Sequence, residues 1–593
     1  MRLKKFSVTN YKVFKETFSI DFSTDSIAIL TGRNNTGKST FLEAINCFFL
    51  KETKATTISN ECFSKRNKEI VLEAHFESDD ETLIFKKKYK EETAPKYYDA
   101  ENIEMKASHP LKEKFDAIYE NKPYYITPSM STDDINNQIQ AIYSQIIKGD
   151  LQKLEEEPDP DHPADSEHMR MRKEYVKIKE SLPNFLRKLK TSTDELLDNV
   201  SEDVSSDLRG LFSNDALSLK VLGGESTGFS TSDILKSTNS SVYIDNHLQK
   251  GMPLSNQGTG LQRMSLIYLI QNMIQKKLMG DNDDKMLLID EPEAFLHPEA
   301  VRALSRSLYT IGNNMPLIIS THSPILIDLS EKHTSIQVFR VGETEAVQLY
   351  KSVNDKFDDD DIRNMKILNY VDSYVNEFFF AEKILIVEGD TEYIALKHRI
   401  KKNNENVHII RARGKSTICT LMKILNQFNA NYNVLHDVDN HNKYSSATLK
   451  AQLTNCKNIL KLKTNDSIRI YCSMENFEAA IGIGDVSNDK KTQTIHEIIH
   501  ETETETETDL KYMDARQEID NLFEHMIKHN DDIPLGEKFF LINCEKDYEG
   551  MFSSLIEQKL ATEKAEKTAK LAKELAAKEA EKTVKSEKEL ATT

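Results

Sequence analysis

Two groups of residues in this 593-residue chain have types and spacing suited to phosphate and metal chemistry. The first is Gly32-Arg33-Asn34-Asn35-Thr36-Gly37-Lys38-Ser39, which fits G-x-x-x-x-G-K-[ST] at every fixed position. In such a loop the backbone N–H groups from Asn34 to Gly37 turn inward around phosphates. Lys38 supplies a positive charge to the β- and γ-phosphates, and the Ser39 hydroxyl ligates Mg²⁺ at a helix N-terminus. The second group is Glu388-Gly389-Asp390-Thr391-Glu392 followed by Asp437-Val438-Asp439. Clustered carboxylates repel unless a divalent cation lies between them, and their hard oxygens suit Mg²⁺ or Mn²⁺.

Chemistry of this kind needs elements that deliver the side chains. The apolar run Ser26 to Leu30 reads as a strand entering the phosphate loop, and Ser39 to Leu50 as the helix leaving it. Met286 to Ile289 reads as a buried strand ending in Asp290 and Glu291. Asp290 would hold Mg²⁺ through water and Glu291 would polarise the attacking water. Leu317 to Ser320 follows as the next strand, with His322 at its tip; a lone His is more often structural. Lys383 to Val387 would carry Glu388, and Asn433 to His436 would carry Asp437 and Asp439. The interval between them accommodates about one and a half βαβ units of roughly 30 residues each. Two adjacent parallel strands would then present one Glu and two Asp at their carboxyl ends, where α/β sheets place ligands. A D-x-D alone is weak, since surface turns contain many.

Composition sets bounds on these readings. The length implies about three to four domains, and 38% hydrophobic with 29% charged residues describes a soluble globular protein with polar insertions. No apolar run approaches the ~18 residues of a membrane span, so no membrane partner is expected. The start, Met1 to Phe6, lacks the apolar core of a secretory signal. Six cysteines without a C-x-x-C pair suit a reducing cytoplasm and carry no zinc signal. A net charge of −18 argues against a uniformly basic nucleic-acid surface but leaves room for a local channel. Lys86-Lys87-Lys88-Tyr89-Lys90 is a candidate patch, although such clusters are usually solvated faces.

The segment Ser-Thr-His-Ser-Pro at 320–324 resembles the switch histidine of ABC-type ATPases, which senses the γ-phosphate. Leu254 to Gln262, with Ser255, Gly258 and Gly260 opening a helix, resembles their signature segment. That resemblance implies a dimer of ATPase domains in which one protomer's signature completes the other's P-loop, with ATP between. No Gln stands at a Q-loop position in the strands between Glu69 and Phe85, a departure from the pattern. The strand-Glu-Gly-x-x-Glu unit paired with D-x-D resembles the Toprim domain of topoisomerases, primases and a class of nucleases. No strand-passage domain or primase zinc module is evident. Arg413-Gly414-Lys415-Ser416 lacks the earlier Gly of a second P-loop and fits a Toprim loop near a nucleic-acid backbone.

The order of the parts resembles the OLD (overcoming lysogenization defect) nucleases, including the Gabija defence nuclease subunit. The expected fold is α/β: an ABC-type P-loop ATPase domain with a helical dimerisation insert, followed by a Toprim (Rossmann-like) α/β domain. Boundaries are expected at 1–95 and 246–350 for the two ATPase halves and 96–245 for the insert. The rest divides into a linker helix at 351–379, the Toprim domain at 380–552 and a charged tail, helical or disordered, at 553–593. Helical stretches at 135–157 and 169–190, a Pro/Asp-rich link at 158–163 and an acidic Glu-Thr repeat at 501–508 are further expectations. By the resemblance Glu388, Glu392, Asp437, Asp439 and Glu478 bind two metal ions and a late lysine completes the site. Lys538 is preferred over Lys528 and Lys546. The activity implied is ATP-gated, Mg²⁺- or Mn²⁺-dependent DNA endonuclease action by a cytoplasmic homo-oligomer in anti-phage defence. The alternatives are a DNA-maintenance ATPase that only docks DNA through the carboxylate domain, or a nuclease subunit that needs a helicase or sensor partner.

Overall fold

Every residue of the strand entering the phosphate loop, Ile27–Thr31, is buried, as befits a parallel strand covered on both faces. The computed structural model describes residues 2–22, 27–78, 81–139, 182–212, 215–222, 241–245, 250–275, 285–313, 315–327, 336–342, 344–348, 358–371, 375–484, 486–487, 490–500 and 512–590. The chain divides into two compact units, Met1–Gln348 and Leu349–Thr593. The link at 158–163, most of the stretch at 135–157, residues 169–181 and the Glu-Thr repeat lie outside the described residues.

The first unit contains β1 (Arg2–Thr9), β2 (Phe18–Asp21), β3 (Ile27–Thr31), β4 (Ile70–Ser78), β5 (Glu81–Tyr89), β6 (Lys96–Tyr98) and β7 (Tyr124–Ile126). It continues with β8 (Ser218–Leu222), β9 (Ser241–Asp245), β10 (Met252–Pro253), β11 (Leu287–Asp290), β12 (Leu317–Ser320), β13 (Ile336–Val341) and β14 (Ala346–Gln348). The main sheet has the order β14-β13-β3-β12-β11-β7, parallel except for β14 at one edge. An antiparallel sheet, β2-β1-β4-β5-β6, adds a second layer. The helix Lys38–Phe48 buries Phe41 and Phe48 against Phe6 of β1, with ring centroids 5.6 and 6.2 Å apart in edge-to-face pairs.

Two sequence expectations change here. Residues 96–126, expected within the insert, instead join the sheets: β6 extends the antiparallel sheet and β7 pairs in parallel with β11 of the main sheet. Strands of three residues are too short for an alternation signal, and their pairing partners lie far away in sequence. The described insert also contains more than helix: the helix Leu182–Phe212 lies beside the antiparallel β10-β9-β8 sheet, where Leu219 N donates to Ser205 Oγ at 2.8 Å. The Lys86–Lys90 cluster is a paired strand rather than a free basic patch. Lys87 is fully buried against Glu52 at 2.6 Å, Lys90 pairs with Glu69 at 2.9 Å and Lys86 lies 3.6 Å from Glu73.

The second unit is a sheet of β15 (Lys383–Val387), β16 (His408–Arg411), β17 (Asn431–Asp437), β18 (Arg469–Ser473) and β19 (Phe539–Ile542). The order is β16-β15-β17-β18-β19, parallel except for β19. The helix Asp359–Val371 is tied to this unit, because Thr420 Oγ1 donates to Asp361 at 2.7 Å and Lys423 pairs with the same carboxylate at 2.6 Å. The tail is helical from Glu545 to Leu590. Its first turns pack inward: the Tyr548 hydroxyl bonds His436 Nε2 at 2.7 Å beneath the end of β17. Burial pulls the His436 pKa down to about 3, so this is a neutral imidazole in a hydrogen-bond chain.

Candidate functional site

Phosphate chemistry at the first site rests on backbone shape. Gly32 has φ 127° and a Cβ there would meet the Val341 carbonyl oxygen at 2.5 Å; Gly37 has φ 98° and a Cβ would meet the Phe14 ring at 2.6 Å. Only glycine fits both positions. Asn34 and Asn35 are exposed, with Asn35 at φ 62°, while Thr36 is buried and its hydroxyl donates to Arg33 O at 3.0 Å. Lys38 is buried and donates to Gly32 O at 3.1 Å and Arg33 O at 2.7 Å. Burial pulls its pKa down to about 8, against the pull of Glu291, Asp290 and Glu293. Ser39 is exposed in the first turn of the helix.

Adjacent strands bring the acids to the same end of the sheet. Asp290 and Ser320 are register partners on β11 and β12, and the Ser320 hydroxyl donates to Asp290 Oδ1. Glu291 sits at φ 45°, with one carboxylate oxygen 3.8 Å from His322 Nε2. Glu293, which sequence reasoning passed over, accepts His322 N at 2.7 Å and Thr321 Oγ1 at 2.8 Å. Burial raises its pKa. Burial and the Lys38 charge lower that of His322.

Arg263 was also missed. It is buried in the helix Thr259–Gln275 and donates to Glu291 O at 3.0 Å and Ala294 O at 3.2 Å, clamping the acidic turn. Gly260 lies against that turn, where a Cβ would come within 2.9 Å of Phe295 O. Ser255 and Gly258 are exposed; Gln262 Nε2 orders their loop by donating to Ser255 O at 3.2 Å and Gln257 O at 2.7 Å.

In the second unit β15 and β17 are adjacent and parallel, so Glu388 and Asp437 emerge side by side. Asp437 N donates to Glu388 Oε2 at 3.0 Å, and the Ser473 hydroxyl donates to Asp437 Oδ1 from the register partner on β18. Asp439 sits at φ 57°, a left-handed conformation that Asp tolerates, and its N–H is held by Glu475 O at 3.0 Å. Glu392 is buried on the helix Asp390–Lys402, folded back so that a Cβ on Gly389 would come within 2.8 Å of its Oε2. Glu478 is buried on the short helix Phe477–Ala480 and pairs with Lys491 at 3.0 Å.

The electrostatics of the cluster follow from burial and crowding. Burial raises the pKa of Glu392 to about 7, reinforced by Glu388 and Glu478. Burial raises Asp437, with Glu392 and Glu388 adding to it, and burial raises Glu388 against the opposing Lys415 charge, with Asp439 adding to the rise. The Lys415 ammonium lies between Glu388 and Asp439, 3.3 Å from Glu388 Oε2 and in hydrogen-bond contact with Asp439 Oδ2. Burial opposes its charge, but those two carboxylates hold it protonated.

The sequence reading set Lys415 on a backbone-facing loop; the Gly414-Lys415 step at a helix N-terminus beside the Glu388 strand was the available signal. Lys538 is exposed, with Nζ on Ala479 O at 3.2 Å, next to Glu478 in the chain, whereas Lys528 pairs with Glu524 on its own helix. The donor chemistry, Glu and Asp oxygens at strand ends, fits a hard divalent cation. Among the described residues no three His, Cys, Asp or Glu side chains are placed to hold one metal as they stand.

This geometry defines a P-loop ATPase joined to a Toprim domain. Residues 27–328 match the family described as "AAA domain, putative AbiEii toxin, Type IV TA system", and the chain belongs to it. Residues 379–439 match the Toprim domain of overcoming lysogenization defect-like proteins. The chain is 26% identical over 268 residues to "Old nuclease" of Escherichia phage P2, covering 41% of this chain and 45% of that protein. It is 24% identical over 320 residues to "OLD nuclease" of Thermus scotoductus, covering 51% and 58%. To "Endonuclease GajA" of Bacillus cereus it is 24% identical over 432 residues, 66% of each. The chain thus spans about half the length of the first two relatives. Among solved structures, an SMC head domain from Pyrococcus furiosus bound to the C-terminal domain of ScpA aligns at 14% identity with a TM-score of 0.40, covering 62% of this chain and 99% of that one. Among the described residues no helix is long and apolar enough to cross a membrane.

Proposed function

We propose that this chain is a DNA endonuclease whose Toprim carboxylates work with Mg²⁺ or Mn²⁺ and whose ATPase site gates cutting. The observation that carries the reading is the hydrogen-bonded pairing of Glu388 with Asp437 at the ends of adjacent parallel strands, beside Glu392 and Asp439. The nuclease names of the relatives support it.

Glu388, Glu392, Asp437, Asp439 and Glu478 would hold the cation. A divalent ion bound there supplies Lewis acidity toward a phosphodiester and lowers the pKa of bound water. The chain's own residues orient that chemistry: Ser473 fixes the Asp437 carboxylate, and Gly389 leaves room for Glu392. Lys538, exposed with its Nζ on Ala479 O, would offset negative charge on the phosphorane-like transition state.

In the ATPase unit, the loop from Asn34 to Ser39 would cradle ATP, Asp290 and Ser39 would hold its Mg²⁺, and Glu291 with His322 would address the attacking water. Ser255, Gly258 and Gly260 belong to the face that closes on the P-loop of a second copy in a homodimer or larger assembly. The exposure of Ser255 and Gly258 supports this. By the family resemblance the proposed setting is cytoplasmic anti-phage defence, and the alternative is a nuclease subunit inactive without a helicase or sensor partner.

The test is conversion of supercoiled plasmid to nicked and linear forms with Mg²⁺ or Mn²⁺, with and without ATP. Metal-dependent cutting that Glu388→Ala abolishes is expected, and Lys38→Ala gives the sign of the gating. Intact plasmid in every lane, with a helicase-type partner also failing to elicit cutting, would sink the nuclease reading in favour of DNA docking.

A further inference from the structure

The two halves of the Toprim cluster are not equally compensated. Lys415, only 5% exposed, spans Glu388 and Asp439, and Lys491 pairs with Glu478. Among the described residues Asp437 and Glu392 have no cationic partner; their contacts are the hydroxyls of Ser473 and Thr391. Carboxylates that crowd one another, Glu392 buried and Asp437 half-buried, favour a counter-charge, and the fold provides one on a single side.

Lys415 is not a chance neighbour of this site. It opens the helix Lys415–Gln427 directly after Gly414, whose φ of 144° turns the chain from the end of β16. Because β16, β15 and β17 are consecutive in the sheet, Lys415, Glu388 and Asp437 with Asp439 arrive from three neighbouring strand ends. Arg413 N donates to Glu388 O at 2.8 Å, which fixes that loop against the strand carrying Glu388.

We propose that Lys415 is a built-in cation of the site. Its ammonium takes the counter-charge position between Glu388 and Asp439, so the cluster binds one divalent ion tightly, at Asp437 and Glu392, and a second only by displacing Lys415. This rests on the metal-site reading above. It gives Lys415 a positioning role: it sets how many metals the site holds at a given concentration.

The experiment is Mn²⁺ titration of the full chain without nucleotide, followed by electron paramagnetic resonance of free Mn²⁺, with Asp437→Asn identifying the ions bound in this cluster. Wild type is expected to bind one cluster ion tightly and a second at least tenfold more weakly. Lys415→Met is expected to tighten the second at least tenfold, and Lys415→Arg to behave as wild type. Thermal melts keep the test valid if Lys415→Met is unstable, since Mn²⁺ then raises its melting temperature more than it raises that of wild type. Two equally tight ions in wild type, or an unchanged second ion and an equal Mn²⁺ effect on melting in Lys415→Met, overturn the role of Lys415 alone. No Mn²⁺ sensitive to Asp437→Asn in any protein overturns the metal site itself and the proposal with it.

Discussion

Asp437 and Ser473 are register partners on adjacent parallel strands, and the serine hydroxyl donates to the aspartate. The same relation holds between Asp290 and Ser320 in the other unit. In both, the hydroxyl fixes one carboxylate oxygen, Oδ1. Replacing Ser473 by Ala removes that orientation while keeping the strand. The expected result is a loss of about 10–100-fold in metal affinity or cleavage, the usual scale for a partner that orients a ligand, with melting little changed. Mn²⁺ titration beside a plasmid assay checks it, and an affinity equal to wild type would refute the orienting role.

Glu293 holds the backbone of His322 and the hydroxyl of Thr321 together. Glu293→Ala leaves the part-buried His322 N–H without its acceptor, which costs up to about 1–3 kcal/mol, and frees the histidine tip. ATP turnover should fall further than ATP affinity, whereas Glu293→Gln, which keeps an acceptor oxygen, should retain most turnover. Comparing the two variants' kcat with their nucleotide Kd decides the point.

His322 is expected to stay neutral at pH 7, because burial and the Lys38 charge lower its pKa from the ordinary 6.5. A group whose folded pKa lies below its unfolded value contributes stability that is present above about pH 6.5 and lost as pH falls through the folded value. The ¹³Cε1 resonance of His322, assigned with His322→Gln, should therefore titrate with a midpoint below 6.5. ATP turnover should not fall between pH 8 and 6.5 through this residue. A midpoint at or above 6.5 contradicts the burial argument.

Lys87 is fully buried and paired with Glu52, and it also donates to the carbonyls of Cys47 and Leu50. Lys87→Met strands the Glu52 carboxylate in the interior, at a cost of about 3–5 kcal/mol. The double variant Lys87→Met with Glu52→Gln should recover part of that loss, since no uncompensated charge remains. Chemical denaturation of the four proteins in a cycle reads the coupling directly.

Much of the architecture was legible because it is written in local runs. Apolar segments ending in Asp290, His322, Glu388 and Asp437 identify strands whose ends carry chemistry, and Gly32 and Gly37 mark the loop between β3 and its helix. What escaped the sequence depends on distant partners. Lys87 looks like part of a basic face until Glu52 and the Cys47 carbonyl are brought to it. Tyr124–Ile126 becomes a strand only by pairing with Leu287–Ile289. Lys415 reads as part of a loop near a nucleic-acid backbone until two neighbouring strands place Glu388 and Asp439 against it. Backbone shape was equally hidden: nothing in the local residue types marks Asp439 or Glu291 for a positive φ.

The position of β3 has a consequence for how the chain is made. This strand lies between β12 and β13, and the Thr31 hydroxyl donates to Phe339 O at 3.0 Å. Its neighbours in the sheet leave the ribosome about 300 residues later, roughly 15–60 s at an elongation rate of about 5–20 residues per second. Until then Ile27, Ile29 and Leu30 have no β-partners, and the phosphate loop has no sheet to stand on. The nascent chain thus carries this strand without its sheet neighbours through about half of its synthesis, and a product truncated before residue 317 lacks both flanking strands of the nucleotide site.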